Sequence, residues 1–136
     1  MSQAIVKKDL NGFTLIELMV VLAIMSIAFA IIGPNIMKTY DKVKGKSEVV
    51  ELLDILNNIS YKAFINGRPV RINLVNQSIH YQYIDNSKVI EKNFNYLTFP
   101  VQSFNISRAG FLEQETIIVK YGDSDHNVSL LQVNGL

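Results

Sequence analysis

The chain has 136 residues, a length that suggests one domain. Its 13 basic and 12 acidic residues give a net charge of +1, so it lacks the basic excess that favours nucleic-acid binding. The absence of cysteine excludes disulfides, thiolate metal sites and cysteine nucleophiles. Two histidines, His80 and His126, disfavour a histidine-built metal site or a histidine-centred catalytic apparatus, and the sequence contains no phosphate-binding loop or nucleophile elbow.

The first predicted element is an apolar segment, residues 13–32, in which Glu17 is the single charged residue. Twenty helical residues span about 30 Å, the thickness of a bilayer's hydrocarbon core. A soluble domain of this size cannot enclose a helix that is apolar on every side. The segment therefore predicts a membrane-spanning helix.

Glu17 is the costly residue of this segment, because a carboxylate in a spanning helix costs on the order of 2.5–3.5 kcal/mol on insertion scales. Such a charge usually marks a function and has a partner. The segment contains no lysine, arginine or histidine, so we expect the partner to be another molecule, a lipid headgroup or a chain terminus. The alternative is that Glu17 lies at the membrane edge and is solvated.

A short polar leader with Lys7 and Lys8 precedes the apolar segment, which is the pattern of an export signal. The leader and the apolar segment contain two alternative processing sites. An alanine-x-alanine triplet would be cut after Ala30 and would release a soluble domain. A cut between Gly12 and Phe13 would leave the helix attached.

The residues around the second site, Gly12-Phe13-Thr14-Leu15-Ile16-Glu17-Leu18, resemble the class III signal of type IV pilins and type II secretion pseudopilins. The resemblance implies that a prepilin peptidase cuts after Gly12 and that the new terminal amine of Phe13 is methylated. It also implies a partner for Glu17, namely the Phe13 amine of a neighbouring subunit in the filament. A cut after Ala30 is disfavoured, because Glu17 would interrupt the core of an ordinary signal peptide.

The resemblance also implies an orientation. A prepilin leader must be cytoplasmic to be cut, so the chain would cross the bacterial inner membrane once, with its C-terminal domain in the periplasm. Counting charges indicates the opposite orientation, because four lysines between residues 38 and 46 follow the helix and two precede it. We give the leader motif more weight than the count.

A helix over residues 13–64 is predicted, bent near Pro34, because a proline removes one backbone hydrogen bond and usually kinks a helix. Its second half carries an apolar stripe at steps of three and four: Val49, Leu52, Leu56, Ile59 and Ala63. This stripe predicts a face packed on a sheet, with a coiled-coil seam as the alternative. Asn66-Gly67 and Pro69 predict the helix end.

The C-terminal half has the alternating pattern of strands. The predicted strands are a hairpin from residues 70–74 and 79–83, a third strand over 94–98 ended by Pro100, a fourth around Phe104 and Ile106, a fifth over 116–121, and a last strand over 128–133 after a turn at 122–125. The fold class is therefore α+β, with a long N-terminal helix packed on a small, mostly antiparallel sheet.

These elements predict four regions: residues 1–12 as a cleaved leader, 13–33 as a transmembrane helix, 34–66 as a periplasmic amphipathic helix, and 67–136 as a β-rich domain. The last region, with Gly110 ahead of residues 115–121 and a closing strand ending at Gly135, is similar to H-type minor pseudopilins and related minor pilins. Major type IV pilins commonly close this region with a disulfide, which this chain cannot form.

The resemblance therefore implies a structural subunit and not an enzyme, namely a minor pseudopilin or minor pilin of a secretion pseudopilus or type IV pilus. Its implied partners are other pilin subunits, the prepilin peptidase, the inner-membrane assembly platform and membrane lipid, and no nucleic acid is expected. The alternatives are a major pilin of a surface fibre and a secreted soluble binding domain cut after Ala30.

A calcium site is a further alternative, because major pseudopilins bind calcium in a late loop and Asp123 and Asp125 lie in a predicted turn. Calcium takes six to eight oxygen ligands, and two carboxylates fall short of that number. We therefore expect a solvated turn, no metal and no cofactor.

Overall fold

The computed structural model describes residues 12–133. Residues 1–11 of the predicted leader lie outside this part of the chain. Gly135, the predicted end of the closing strand, also lies outside it. One long helix is followed by six strands: α1 (Leu15–Asn66), β1 (Val70–Asn76), β2 (Ser78–Tyr83), β3 (Val89–Asn93), β4 (Phe99–Ile106), β5 (Thr116–Tyr121) and β6 (Ser124–Ser129). The predicted α+β fold class is confirmed.

The chain divides into two compact units, residues 1–36 and residues 37–136. The described part of the first unit is the N-terminal part of α1 and the three residues before it. Its apolar side chains are exposed along the whole segment, and the helix is long and apolar enough to cross a membrane. Pro34 lies inside α1, and the bend predicted there stays a prediction.

Helix α1 ends as the sequence predicts, in a Schellman motif. The N–H of Gly67 donates to the carbonyl of Phe64 at 3.3 Å, and the N–H of Arg68 donates to the carbonyl of Ala63 at 3.0 Å. Gly67 has a φ of 61°, a left-handed conformation that glycine adopts without a steric penalty. The chain can therefore leave the helix and enter β1 within a few residues.

The predicted apolar stripe of α1 is the helical side of the core of the second unit. Leu52, Leu56 and Ala63 are fully buried, Ile59 is 3% exposed and Val49 is half-buried. They form one cluster with inward side chains of the strands, including Ile72, Leu74, Ile79, Ile117 and Val119. The stripe thus packs on the sheets and does not form a coiled-coil seam.

The strands form a four-stranded antiparallel sheet in the order β3-β2-β1-β4 and a separate β5-β6 hairpin. The predicted hairpin of β1 and β2 is confirmed, with Val70 opposite Tyr83 and Val75 opposite Ser78. In the β5-β6 turn, Gly122 and Asp123 have φ values of 56° and 64°. Two central residues with positive φ define a type I′ turn, which matches the twist of the flanking strands.

The prediction of a third strand over residues 94–98 is wrong. Residues 94–97 form a loop, in which Glu48 of α1 holds the backbone of residues 95–97. One carboxylate oxygen of Glu48 accepts the N–H of Asn95 at 2.9 Å, and the other accepts those of Tyr96 at 2.7 Å and Leu97 at 3.0 Å. Backbone groups bonded to a helix side chain in this way are not available to a strand ladder.

The actual third strand, β3, lies just before this loop, and its five residues are all exposed. It therefore lacks the apolar alternation that reveals a half-buried strand. Pro100, predicted to end a strand, lies inside β4. This is possible because β4 is an end strand of its sheet, where a missing N–H need not interrupt a ladder.

The last strand was predicted too late in the chain. β6 covers Ser124–Ser129 and begins directly after the two-residue turn, so only its final two residues overlap the predicted range 128–133. Its sequence is polar, and its residues are exposed or half-buried. Leu130 and Val133, which suggested the strand, enter the core from the segment beyond it.

Helix α1 approaches β5 closely at Gly45, which is a buried residue. A Cβ atom built on Gly45 would lie 2.5 Å from the Cβ of Tyr121 and 2.6 Å from its Cγ. Only a residue without a side chain allows the helix backbone to reach the tyrosine in this way.

Candidate functional site

The candidate processing site lies immediately before the helix. Gly12, Phe13 and Thr14 have no regular secondary structure, and α1 begins at Leu15. The side chain of Phe13 is 87% exposed, and a Cβ built on Gly12 would meet nothing within 4 Å. The Gly12-Phe13 bond is thus part of an open, non-helical segment, the type of backbone that proteases cut most readily.

Thr14 and Glu17 form a capping box at the start of α1. The backbone N–H of Thr14 donates to Oε2 of Glu17 at 3.0 Å, and the N–H of Glu17 donates to Oγ1 of Thr14 at 3.3 Å. Each side chain satisfies a backbone donor that the helix itself leaves free. The negative charge of Glu17 also lies at the positive end of the helix dipole, where it is stabilised.

The capping box gives Glu17 a hydrogen-bond partner within its own helical turn. The expected partner for its charge, namely another molecule, a lipid headgroup or a chain terminus, stays a prediction. Sequence reasoning missed Thr14 because it considered only cations. The signal that could have found it is a threonine three residues before a glutamate, directly ahead of an apolar run.

The spanning segment contains one other polar side chain, Ser26. Its hydroxyl donates to the carbonyl of Leu22 at 2.7 Å, one turn earlier in the helix. The bond satisfies the hydroxyl in an apolar environment. Glu17 is therefore the one residue between 15 and 32 that carries a charge into the segment.

The second unit exposes apolar side chains on the helix face opposite the core. Tyr40, Val43, Val50, Tyr61 and Ile65 are each about half exposed or more, from 48% to 60%. Their spacing places them on one side of α1, because each interval is close to a whole number of helical turns. Tyr40 is in edge contact with the ring of Tyr96, and the ammonium of Lys44 lies over the Tyr40 ring, 5.5 Å from its centroid.

The acidic turn residues do not assemble a metal site in the described part of the chain. Asp123 lies in the type I′ turn, Asp125 lies opposite Lys120 in the β5-β6 ladder, and both are exposed. No group of three or more histidine, aspartate or glutamate side chains that could hold a metal ion occurs in residues 12–133. His126 stacks on Tyr121 with ring centroids 3.9 Å apart.

Among the described residues of the second unit, the side chains of Tyr81, Lys92 and Tyr96 have raised pKa values. The pKa of Tyr81 is raised above 10.0 by burial and by the neighbouring Tyr83. A hydrogen bond to the Glu51 carboxylate, 2.8 Å away, raises the pKa of Lys92. A hydrogen bond with Tyr40 raises the pKa of Tyr96. These groups lie on the surface or in a shallow groove and do not converge on one site.

Comparison with known proteins gives one match. Residues 8–33 match the family described as the prokaryotic N-terminal methylation motif, and this range contains Gly12, Phe13 and Glu17. Searches of curated proteins and of solved structures found no match. The chain thus carries, at the start of its apolar helix, the N-terminal signature of type IV pilins and pseudopilins.

Proposed function

We propose that the chain is a minor pilin or pseudopilin, a structural subunit of a type II secretion pseudopilus or a type IV pilus. The observation that carries the proposal is the methylation motif at residues 8–33, with the Gly12-Phe13 bond directly ahead of the helix. The apolar segment anchors the subunit in the inner membrane, with residues 67–136 in the periplasm. The assembly platform then extracts it into the filament.

Processing occurs between Gly12 and Phe13 in this proposal, and the terminal amine of Phe13 is then methylated. The open, non-helical backbone at this bond supports the assignment. So does the start of α1 at Leu15, because the cut leaves the whole helix on the mature chain. Removing residues 1–12 leaves 124 residues.

Glu17 acts as the assembly residue. Its Oε2 accepts the N–H of Thr14, and no hydrogen bond to Oε1 occurs among residues 12–133. The carboxylate can therefore keep its own capping box and still accept the charged amine of Phe13 from a neighbouring subunit. This pairing compensates the charge only in the filament, so Glu17 favours assembly over free diffusion in the membrane.

The outward face of α1 supplies the apolar surface for assembly. Its five side chains from Tyr40 to Ile65 follow the helical repeat and are exposed in the single chain. An apolar helical stripe of this kind packs well on the helix of another subunit. Helix packing in the filament would cover it.

The first test is the intact mass of the protein purified from membranes of cells that express the prepilin peptidase. The proposal predicts a chain of 124 residues with one N-methyl group. Gly12→Phe should leave the chain uncut, because the peptidase needs a small residue before the bond. A mature chain beginning at Ile31 would instead support the secreted-domain alternative.

The second test is crosslinking of Glu17→Gln to its filament partners, after normal processing is confirmed. Removing one partner of a buried pair costs roughly 3–5 kcal/mol, which lowers incorporation by two orders of magnitude or more. Ser26→Ala is the matched control, because it removes another polar group of the segment without changing its charge. Wild-type incorporation of Glu17→Gln would disprove the pairing.

The abundance of the chain in sheared filaments separates a minor subunit from a major one.

A further inference from the structure

Strand β3 is an end strand of the four-stranded sheet. It pairs with β2 on one side, and no strand of residues 12–133 pairs with its other side. All five of its residues are exposed. An end strand of this kind presents unpaired backbone N–H and C=O groups, which can pair with a strand of another chain.

The hydrogen bond at the end of the β2-β3 ladder shows which backbone groups of β3 point to the free edge. The N–H of Phe94 donates to the carbonyl of Gln77 at 2.7 Å, so these two residues form a hydrogen-bonded pair. In an antiparallel ladder, such pairs alternate with pairs that exchange no hydrogen bonds. Counting back from Phe94, every second residue bonds to β2, and the residues between them point their backbone groups to the free edge. These edge residues are Val89, Glu91 and Asn93.

The hydrogen bonds of β2 with β1 agree with this assignment. The N–H of Ile84 donates to the carbonyl of Pro69 at 3.1 Å, which places the bonded pairs of this ladder at the even-numbered residues of β2. Ile79 and Tyr81 therefore direct their backbone groups toward β3, where their partners are the residues between the edge residues. The alternation is thus fixed from both sides of β2.

A small groove lies under this edge, between α1 and the strands β2 and β3. Its volume is about 220 Å³, below the roughly 300–1,000 Å³ of small-molecule sites, so it suits a side chain better than a free ligand. Ile90 of β3 contributes to the lining and is itself exposed. The other lining residues are Ile55, Asn58, Ile59, Lys62, Tyr81 and Tyr83. A strand added to β3 would place every second side chain on this side of the sheet.

The charges of β3 disfavour a second copy of this chain as the added strand. Hydrogen bonding requires the edge residues of one copy to lie opposite edge residues of the other, and three antiparallel registers then pair at least three β3 residues of each copy. One register places Glu91 opposite Glu91, another places Lys92 opposite Lys92, and the last places Lys88 opposite Lys92. Like charges directly opposite each other destabilise a strand pair.

We propose that β3 binds an extended segment of a different protein, which adds to the sheet as a fifth, antiparallel strand. The segment carries a basic residue opposite Glu91, whose carboxylate forms no ion pair within residues 12–133. The next residue of the segment is apolar, lies opposite Ile90 and covers the groove. Main-chain hydrogen bonds supply the affinity, and these two side chains supply the specificity. The proposal does not rest on the pilin assignment, because every group that it uses belongs to the second unit.

The test uses the full chain in detergent micelles and a capped heptapeptide of threonine with lysine at its fourth position and isoleucine at its fifth. Hydrogen exchange of the β3 amides is measured at a peptide concentration ten times the Kd. We expect the amides of the edge residues to exchange about tenfold more slowly. Those of Ile90 and Lys92 should change little, because they already bond to β2. Unchanged exchange of the edge residues at millimolar peptide would overturn the proposal.

Two N-methylated forms of the peptide test the geometry of strand addition. The lysine N–H donates to the carbonyl of Glu91, so its methylation should weaken binding at least about tenfold by removing a hydrogen bond and adding a clash. The isoleucine N–H points away from β3, and its methylation is the matched control, which should leave the affinity unchanged within about twofold. Equal affinities of the two methylated peptides would overturn strand addition.

A charge reversal tests the register. Wild type should bind the lysine peptide about two- to fivefold better than a peptide with glutamate at that position, and Glu91→Lys should reverse this order. Glu115→Lys is the matched control, because it makes the same change at an exposed residue outside this sheet, and it should keep the wild-type order. An unchanged order in Glu91→Lys would overturn the pairing of the basic residue with Glu91.

The same exchange measurement distinguishes a different protein from a second copy. Without peptide, we expect the amides of the edge residues to exchange at the same rate when the protein concentration is raised tenfold. Slower exchange of these amides at the higher concentration would show that β3 pairs with another copy of the chain, and it would overturn the proposal.

Discussion

The backbone of Gly45 in α1 rests directly against the side chain of Tyr121 in β5, with no space for even a methyl group between them. A Cβ on Gly45 would lie 2.5 Å from the Cβ of Tyr121, a distance that carbon atoms in proteins essentially never adopt. Tyr121 is 9% exposed and belongs to the hydrophobic core. This contact brings the helix against the two-stranded sheet, near the point where Lys42 of the helix packs on Gly122 of the β5-β6 turn.

Gly45→Ala should destabilise the protein, although alanine is the better helix former by about 1 kcal/mol. The added methyl group forces either the helix or Tyr121 to move, and overpacking of a core usually costs about 1–3 kcal/mol. Gly33→Ala in the same helix is the control, because a Cβ there meets nothing within 4 Å. Thermal unfolding of the full chain in detergent should show a lower midpoint for Gly45→Ala only, and an equal or higher midpoint would contradict the contact.

Glu48→Ala should loosen the loop that follows β3. The substitution leaves three backbone N–H groups of residues 95–97 without their acceptor. Hydrogen bonds to a charged group contribute about 1.5–3 kcal/mol, so the loss should be measurable in denaturant unfolding. Hydrogen exchange of the amides of residues 95–97 should accelerate in parallel.

Glu51→Ala is the control for that experiment, since its carboxylate pairs with Lys92 on the surface, with both side chains about half exposed. Exposed ion pairs contribute little, because water and salt screen them. Glu51→Ala should therefore leave the exchange of residues 95–97 unchanged. If both variants accelerate it equally, Glu48 does not hold the loop.

The stability of the second unit should fall at alkaline pH, in part because of Tyr81. Burial and Tyr83 raise the pKa of Tyr81 above its ordinary value of 10.0, so the folded state holds this proton more tightly than the unfolded state. The stabilisation is fully present below pH 10.0 and is lost as the pH rises through the folded pKa. Lys92 and Tyr96, whose pKa values are also raised, change stability in the same direction.

Tyr81→Phe should weaken the decline of the melting temperature above pH 10.0, because the ionisable group is gone. Tyr61→Phe is the control, since Tyr61 is an exposed residue of the outward helix face. Melting curves of the three proteins, measured at several pH values from neutral to strongly alkaline, would show whether Tyr81 contributes to this decline. An identical alkaline decline in wild type and Tyr81→Phe would remove Tyr81 as a cause.

Thr14→Ala should fray the first turn of α1, because it removes the hydroxyl that accepts the N–H of Glu17. Loss of a threonine cap costs about 0.5–2 kcal/mol of helix stability. Hydrogen exchange of the first-turn amides in micelles should accelerate in Thr14→Ala and stay at the wild-type rate in Thr14→Ser, which keeps the hydroxyl. Equal acceleration by both variants would show that the hydroxyl does not cap the helix.

The local features of the chain were determined by the sequence alone. The signature around Gly12, Phe13 and Glu17 is a contiguous motif, and the family match covers the same residues. The buried stripe of α1 and the β1-β2 hairpin could be predicted because one face of each element is buried and the other is exposed. Burial on one face imposes a period on the sequence, and that period can be read without the fold.

Other features were decided only by tertiary contacts. Phe94, Tyr96 and Thr98 alternate like the residues of a strand. The carboxylate of Glu48, distant in sequence, accepts the backbone N–H groups of residues 95–97, and the segment is a loop. The strand β3 is exposed on both faces, so its sequence carries no period to read. The contact of Lys42 with Gly122 likewise joins residues about eighty positions apart. Such contacts depend on which distant groups the fold brings together, and no local pattern encodes that information.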